Sequence, residues 1–212
     1  MALYLMLSKT NTGMGRVIRA FTRGEYNHVS LTLDPGLTGF VSFARYVRGV
    51  PLAGGFVEEP VERFFCQEGP VSVRVFRMEL DSQREGELAS LFRKAGDRDT
   101  GLIYDTLGAL LTTWKIRCHI RGAYTCLGFA SAVLGTPFRS LQELERFLDP
   151  YEVYHGDLRE LVADTGDRSG AYFAHRGFLG AAGDTTVHFA RLLGRMVGMG
   201  RCTDPVEALC GK

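Results

Sequence analysis

Apolar and polar positions in the first part of the chain alternate with the period of two that is typical of strands. Asp34-Pro35-Gly36 supplies a turn between two of these runs, which therefore form a hairpin with His28 at its open end. This part of the chain is predicted to be mostly sheet. Its strands are expected at 3–7, 29–33, 39–46 and 71–80, with a brief extended segment at 56–59.

Helical periodicity takes over after residue 80, and several of the predicted helices begin at a residue that can cap them. Asp81 or Ser82 caps one helix and Ser140 caps another, whereas Gly135 ends a short apolar helix that begins at Cys126. The predicted helices lie at 12–23, 82–95, 104–114, 126–134 and 141–149, and a strand and turn follow at 151–161.

Glycine becomes frequent after residue 164, and the last predicted helix is amphipathic. We therefore expect one domain at 1–164 and a Gly-rich, helical extension at 165–212, which packs on the domain or on a second subunit, so that a homodimer is left open. In the extension one helical face carries Val187, Ala190, Leu193 and Val197, and the other carries His188, Arg191 and Arg195.

Composition narrows the classes of function. A 212-residue chain with 45% hydrophobic residues can bury a full core. Its formal charge of +1 gives no excess of positive charge with which to bind nucleic acid, so nucleic acid is not expected as a ligand. No apolar run approaches the roughly 20 residues of a membrane span, and no signal peptide is recognised, so a cytoplasmic location is expected. The five cysteines are odd in number and irregularly spaced, which favours reduced thiols. We predict no metal and no other cofactor.

Cys126 is the first candidate for chemistry, because it stands where an apolar helix begins. Unpaired N–H groups of a first helical turn favour thiolate over thiol and can donate to an oxyanion beside the sulfur. A neighbouring imidazole would lower the thiol pKa and later return the proton to a leaving group. His28 is the histidine we pair with Cys126. The alternative is that Cys126 is a small buried hydrophobic residue.

Several short motifs follow one another along the chain in a fixed order. They are Tyr26-Asn27-His28-Val29-Ser30-Leu31, Val41-Ser42-Phe43-Ala44-Arg45, Gly54-Gly55-Phe56-Val57-Glu58-Glu59, Tyr104-Asp105 with Gly108, and Tyr124-Thr125-Cys126-Leu127-Gly128-Phe129-Ala130. Their order resembles the circularly permuted NlpC/P60 group of papain-like thiol hydrolases, the YiiX/YebB-like branch. In that group the histidine strand precedes the cysteine helix, as His28 precedes Cys126 here. The resemblance covers roughly residues 1–161, and the family often has a Ser and an acidic residue where this chain has Leu127 and Gly128.

The resemblance implies an α+β papain-like domain in which a twisted antiparallel sheet packs against the cysteine helix. It implies Glu59 as the group that orients the imidazole, with Glu58 in reserve because adjacent residues of an extended segment face opposite ways. The oxyanion would be bound by the Cys126 N–H and by Tyr104 or Tyr124, of which the family-like Tyr-Asp pair favours Tyr104.

Three functions remain open from the sequence. The first is a cysteine amidase or peptidase acting through an acyl-enzyme on a peptide, an amino-acid amide or another acyl substrate. The second is a binding module on the same fold that has lost turnover. The third is a lipid acyltransferase resembling the lecithin:retinol group, which also places histidine before cysteine, with the C-terminal helix in contact with a membrane.

Overall fold

The computed structural model of the chain describes residues 1–10, 24–66, 69–97, 100–111, 120–198 and 206. Helices and strands are mixed along these segments, and the strands form one sheet, so the α+β prediction is confirmed. The helix predicted at 12–23 and the end of the one predicted at 104–114 lie outside the described residues. Within the described segments, no helix combines the length and the apolar character that crossing a membrane requires.

Eight strands form the sheet, in the order β7-β6-β4-β3-β2-β1-β5-β8. Neighbours pair antiparallel except β6 and β7, which are parallel. The predicted hairpin is β2 with β3, in which Leu31 lies opposite Val41. The strands are β1 (Ala2–Ser8), β2 (His28–Thr32), β3 (Gly39–Arg45), β4 (Gly54–Pro60), β5 (Ser72–Glu79), β6 (Ile103–Tyr104), β7 (Ala123–Tyr124) and β8 (Glu152–Asp157).

The helices begin where their caps predict. The side chains of Asp81, Thr125 and Ser140 each accept a backbone N–H of a first turn, and Gly135 ends its helix with φ of 65°. Tyr104 was expected to begin a helix but lies in β6, and the helix begins at Thr106. The α-helices are α1 (Ser82–Phe92), α2 (Thr106–Leu111), α3 (Cys126–Leu134), α4 (Leu141–Leu148), α5 (Leu158–Leu161) and α6 (Phe178–Met196).

Helix α3 is packed on the middle of the sheet through an aromatic cluster. The buried ring of Phe129 lies 5.4 Å from that of Phe43 on β3 and 5.2 Å from that of Phe56 on β4, measured between centroids. Cys126, one turn earlier, belongs to the same buried cluster as Val29 of β2. Packing of the apolar face of α3 therefore holds the start of the helix against the first residues of β2.

Helix α6 packs on the domain with a face that the hydrophobic pattern did not predict. Val187, Leu193 and Val197 are exposed, whereas Leu192 and His188 are buried, so the predicted apolar face does not pack on the domain; packing of that face on a second subunit stays a prediction. The buried ring of His188 has a hydrogen-bond partner, because its Nε2 lies 3.1 Å from the Thr106 hydroxyl. The hydrophobic pattern gave the wrong face for this packing because it treats every polar residue as exposed, whereas a polar residue with a hydrogen-bond partner can be buried.

Short 3-10 helices complete the described chain. They are Val61–Cys66, which follows β4, Asp149–Tyr151, which precedes β8, and Ala171–Phe173, which lies in the extension.

Candidate active site

Cys126 is the first residue of α3, and the Thr125 side chain caps the helix by accepting the Gly128 N–H at 3.0 Å. The residue is 8% exposed. Its sulfur lies within hydrogen-bonding reach of the His28 side chain and of the backbone N–H of Val29. The structure therefore brings together the two residues that the sequence paired across 98 positions, as counted from 28 to 126.

His28 is the first residue of β2 and lies between Cys126 and Glu59. Its Nε2 is 2.8 Å from Glu59 Oε2. Because a carboxylate can only accept, Nε2 carries the hydrogen of this bond, and Nδ1 is the nitrogen left for the thiol. The imidazole is thus held in one orientation between a carboxylate and a sulfur, which is the arrangement that triad chemistry requires.

Glu59 is buried, while its neighbour Glu58 is exposed, so Glu59 is the carboxylate that reaches the imidazole. Its Oε2 also accepts the hydroxyls of Ser30 at 2.7 Å and Ser42 at 2.5 Å. Its Oε1 lies 3.5 Å from Nη2 of Arg63. Both oxygens of the carboxylate are therefore occupied, as a buried charge requires.

The three groups shift one another's ionisation. Burial by itself would lower the pKa of His28, but the Glu59 carboxylate and the bond to Cys126 outweigh it and raise that pKa to about 10. Burial would raise the pKa of Cys126, and its hydrogen bond and attraction to His28 lower it instead. The pKa of Glu59 falls well below its usual range, because His28 and Arg63 outweigh the opposing effect of burial. These shifts move the pair toward a thiolate beside an imidazolium.

The two tyrosines proposed for oxyanion binding lie opposite each other, Tyr104 on β6 and Tyr124 on β7. The pKa of Tyr104 is raised, first by burial and then by the negative charge of Cys126, so its hydroxyl stays protonated and able to donate. The Tyr124 ring packs 5.2 Å from Phe43, between centroids. Tyr104 is thus a hydroxyl donor whose ionisation is opposed by negative charge on Cys126.

Sequence reasoning missed Ser30, Ser42 and Arg63. A signal for the serines was present, since a period of two places Ser30 on the same side of β2 as His28, and β3 is the neighbouring strand. Arg63 stands four residues after Glu59, outside the strand, and only the turn into the 3-10 helix brings it back to the carboxylate.

Two glycines explain why β4 can lie so close to its neighbours. A Cβ on Gly54 would overlap the carbonyl oxygen of Ala44, and one on Gly55 would overlap the Tyr46 hydroxyl and lie 2.8 Å from the Leu102 oxygen. Side chains are therefore excluded at these two positions, where Gly54 and Gly55 pair with β3 and Gly55 also pairs with Ile103 of β6.

A scan against protein-family models, a search of curated proteins and a search of solved structures each found no match to this chain.

Proposed function

We propose that this protein is a cysteine hydrolase that cleaves an amide or ester bond through an acyl-enzyme on Cys126. The observation that carries the proposal is a buried relay of three side chains. A thiol at the start of a helix lies within hydrogen-bonding reach of His28, and Nε2 of that imidazole is bonded to the buried Glu59 carboxylate. Such a relay holds a nucleophile ionised and a proton donor beside it.

The first half of the proposed reaction is acylation. The Cys126 thiolate attacks the carbonyl carbon, a carbon–sulfur bond forms, and the carbonyl electron pair moves to the oxygen. The backbone N–H of Cys126 and the hydroxyl of Tyr104 or Tyr124 stabilise that oxyanion. When the tetrahedral intermediate collapses, His28 gives its proton to the leaving amine or alcohol, and a thioester remains on Cys126.

The second half is deacylation. His28 takes a proton from water, the resulting hydroxide attacks the thioester carbonyl, and the carbon–sulfur bond breaks to release the acyl group as a carboxylic acid and to regenerate thiolate and imidazolium. Glu59 keeps Nε2 protonated and stabilises the positive charge of the imidazolium in both halves, without itself accepting the proton. The substrate class under this proposal is a peptide, an amino-acid amide or another acyl compound.

The papain-like fold and the permuted NlpC/P60 relationship belong to the same proposal. Two features support them: a mostly antiparallel sheet carries the histidine and packs against the cysteine helix, and the histidine strand comes before that helix in the chain. The carboxylate follows on the second strand after β2, in agreement with the Glu59 position that the resemblance implied.

Trapping the acyl-enzyme tests the proposal. The protein is mixed with an activated aryl ester, and intact mass and peptide mapping follow the acyl group. We expect a burst of released phenol equal to the enzyme and an acyl group on Cys126, both lost in Cys126→Ala and strongly reduced in His28→Ala. Cys66 is the internal control, because it is more accessible and its sulfur donates to the Glu62 carbonyl instead of a histidine.

Acylation of Cys66 with Cys126 unmodified would refute the proposal. It would leave a binding module on this fold as the better account of the chain.

Acyl transfer on a lipid is a second candidate, and one observation favours it. Helix α6 leaves Phe178 87% and Leu179 84% exposed, and Leu193 on the same helix is also exposed, which suits contact with a lipid surface. Co-sedimentation with phospholipid vesicles tests this candidate. Binding that is lost in Leu193→Glu supports it, and no binding by the unaltered protein counts against it.

A further inference from the structure

The side chain of Arg63 is buried beside the candidate site, with 6% of it exposed. Its Nη1 donates to the Glu58 carbonyl at 3.0 Å, and its Nη2 donates to the Arg45 carbonyl at 2.9 Å. Nη2 also lies 3.5 Å from Glu59 Oε1. These contacts fix the plane of the guanidinium, because two carbonyls on different strands hold it from two directions.

One residue of the C-terminal extension covers this guanidinium. The Tyr172 ring centroid is 3.9 Å from Arg63 Cζ, within the range of a cation–π contact. The Tyr172 hydroxyl accepts Nη2 of Arg45 at 3.1 Å, and its carbonyl accepts the Arg48 N–H at 2.9 Å. Tyr172 is therefore tied to the domain at three points, and its ring excludes water from one face of Arg63.

We propose that Tyr172 and Arg63 are positioning residues for Glu59, so that the C-terminal extension completes the candidate site. The inference rests on the proposed function. Arg63 binds Oε1 of Glu59, which leaves Oε2 turned toward His28 and the two serine hydroxyls. The Tyr172 ring keeps the ion pair dry, which strengthens the attraction between the guanidinium and the carboxylate.

The groups that set the charge around Glu59 come from four elements. They are His28 on β2, Arg63 in the 3-10 helix after β4, Cys126 at the start of α3 and Tyr104 on β6. Of these groups, Arg63 is the one whose guanidinium lies over the Tyr172 ring. Removing that ring admits water to the ion pair, loosens the carboxylate and weakens its hold on the imidazolium, so that less thiolate remains on Cys126 at acidic pH.

The test measures the rate of Cys126 alkylation by iodoacetamide from pH 5 to 10, with mass spectrometry to separate Cys126 from Cys66. Tyr172→Ala is expected to move the acidic limb of the profile to higher pH and to slow the reaction at pH 6 by about tenfold, the effect of a change of one pH unit. Tyr172→Phe keeps the ring and is expected to retain most of the rate. Tyr151→Ala, which truncates an exposed tyrosine beside Phe147, is the matched control.

Thermal unfolding of each variant establishes that the protein compared is folded. If Tyr172→Ala does not fold, Tyr172→Gln replaces it, because glutamine keeps much of the side-chain length but is polar and removes the apolar cover. A profile of either folded variant that coincides with the unaltered protein overturns the positioning role. If Cys126 of the unaltered protein reacts no faster than Cys66 at pH 6, the proposed function itself fails, and the two failures are thus distinguished.

Discussion

Replacing Glu59 by Gln removes the negative charge that holds His28 while keeping the shape of the side chain and an oxygen that can accept the Nε2 hydrogen. Glu58→Gln is the matched control, because the same change is made one residue earlier on an exposed side chain. We expect the pKa of His28 to fall in the first variant and to stay unchanged in the second.

The size of the fall follows from the geometry. His28 Nε2 and Glu59 Oε2 are 2.8 Å apart, and both side chains are largely buried. With charge centres roughly 4 Å apart and an effective dielectric constant of about 20, the attraction is about 4 kcal/mol. At about 1.4 kcal/mol per pH unit, its loss corresponds to about three pH units. The carboxylate therefore supplies most of the rise of the His28 pKa from 6.5 to about 10, and the bond to Cys126 adds to it against the opposing effect of burial.

The assay is an NMR pH titration of histidine-labelled protein, with the His28 signals assigned by comparison with His28→Gln. The reasoning predicts that the His28 transition falls by about three pH units from the neighbourhood of pH 10 in Glu59→Gln, because the carboxylate no longer offsets the effect of burial. A His28 transition that remains near pH 10 in Glu59→Gln would refute the claim that this carboxylate sets the charge of the imidazole.

Three further outcomes are expected. Ser42→Ala removes one donor to the Glu59 carboxylate and should lower the free energy of unfolding by about 1.5–3 kcal/mol in urea titrations; no change would show that the bond contributes nothing net. The unaltered protein should exceed His28→Gln in free energy of unfolding by a margin that is full below pH 6.5 and shrinks as pH rises toward 10, since the folded-state pKa of His28 is raised. A margin that grows over this interval would contradict the raised pKa of His28. Leu192→Ala should lower the free energy of unfolding by about 2–5 kcal/mol, because Leu192 is buried, and Leu193→Ala should lower it by under about 0.5 kcal/mol. The reverse order would mean that α6 packs on the domain with its other face.

The parts of the fold that the sequence predicts well are those that depend on neighbouring residues. The hairpin of β2 and β3 follows from alternation on both sides of Asp34-Pro35-Gly36, and α3 begins and ends where Thr125 and Gly135 can cap it. These features follow from local geometry and do not depend on how the rest of the chain packs.

The meeting of His28 with Cys126 is different, because no local rule joins residues so far apart. Their pairing was expected from the chemistry of the two side chains and from the order of the motifs, and Glu59 from the resemblance. Alternation could only say that Glu58 and Glu59 face opposite ways. The choice between them depends on which face of β4 receives the serine hydroxyls, which is a property of three strands together.

The extension was the least predictable part. Its helix buries His188 and leaves Val187 and Leu193 exposed, because hydrogen bonding to Thr106 compensates for burying a polar ring. Tyr172 could not be identified either, since it meets its partner across more than a hundred positions and a single tyrosine in a Gly-rich segment carries no pattern.

The most direct test of the central claim is the pH dependence of Cys126 alkylation in the unaltered protein and in His28→Ala. A thiol with the ordinary pKa of 9.0 loses about 500-fold in reactivity between pH 9 and pH 6, because only about 0.1% remains thiolate. The account predicts a much smaller loss for Cys126, and a return to the ordinary loss in His28→Ala. If Cys126 loses reactivity as steeply as Cys66 in the unaltered protein, the sulfur is not paired with an imidazolium and the proposed chemistry is contradicted.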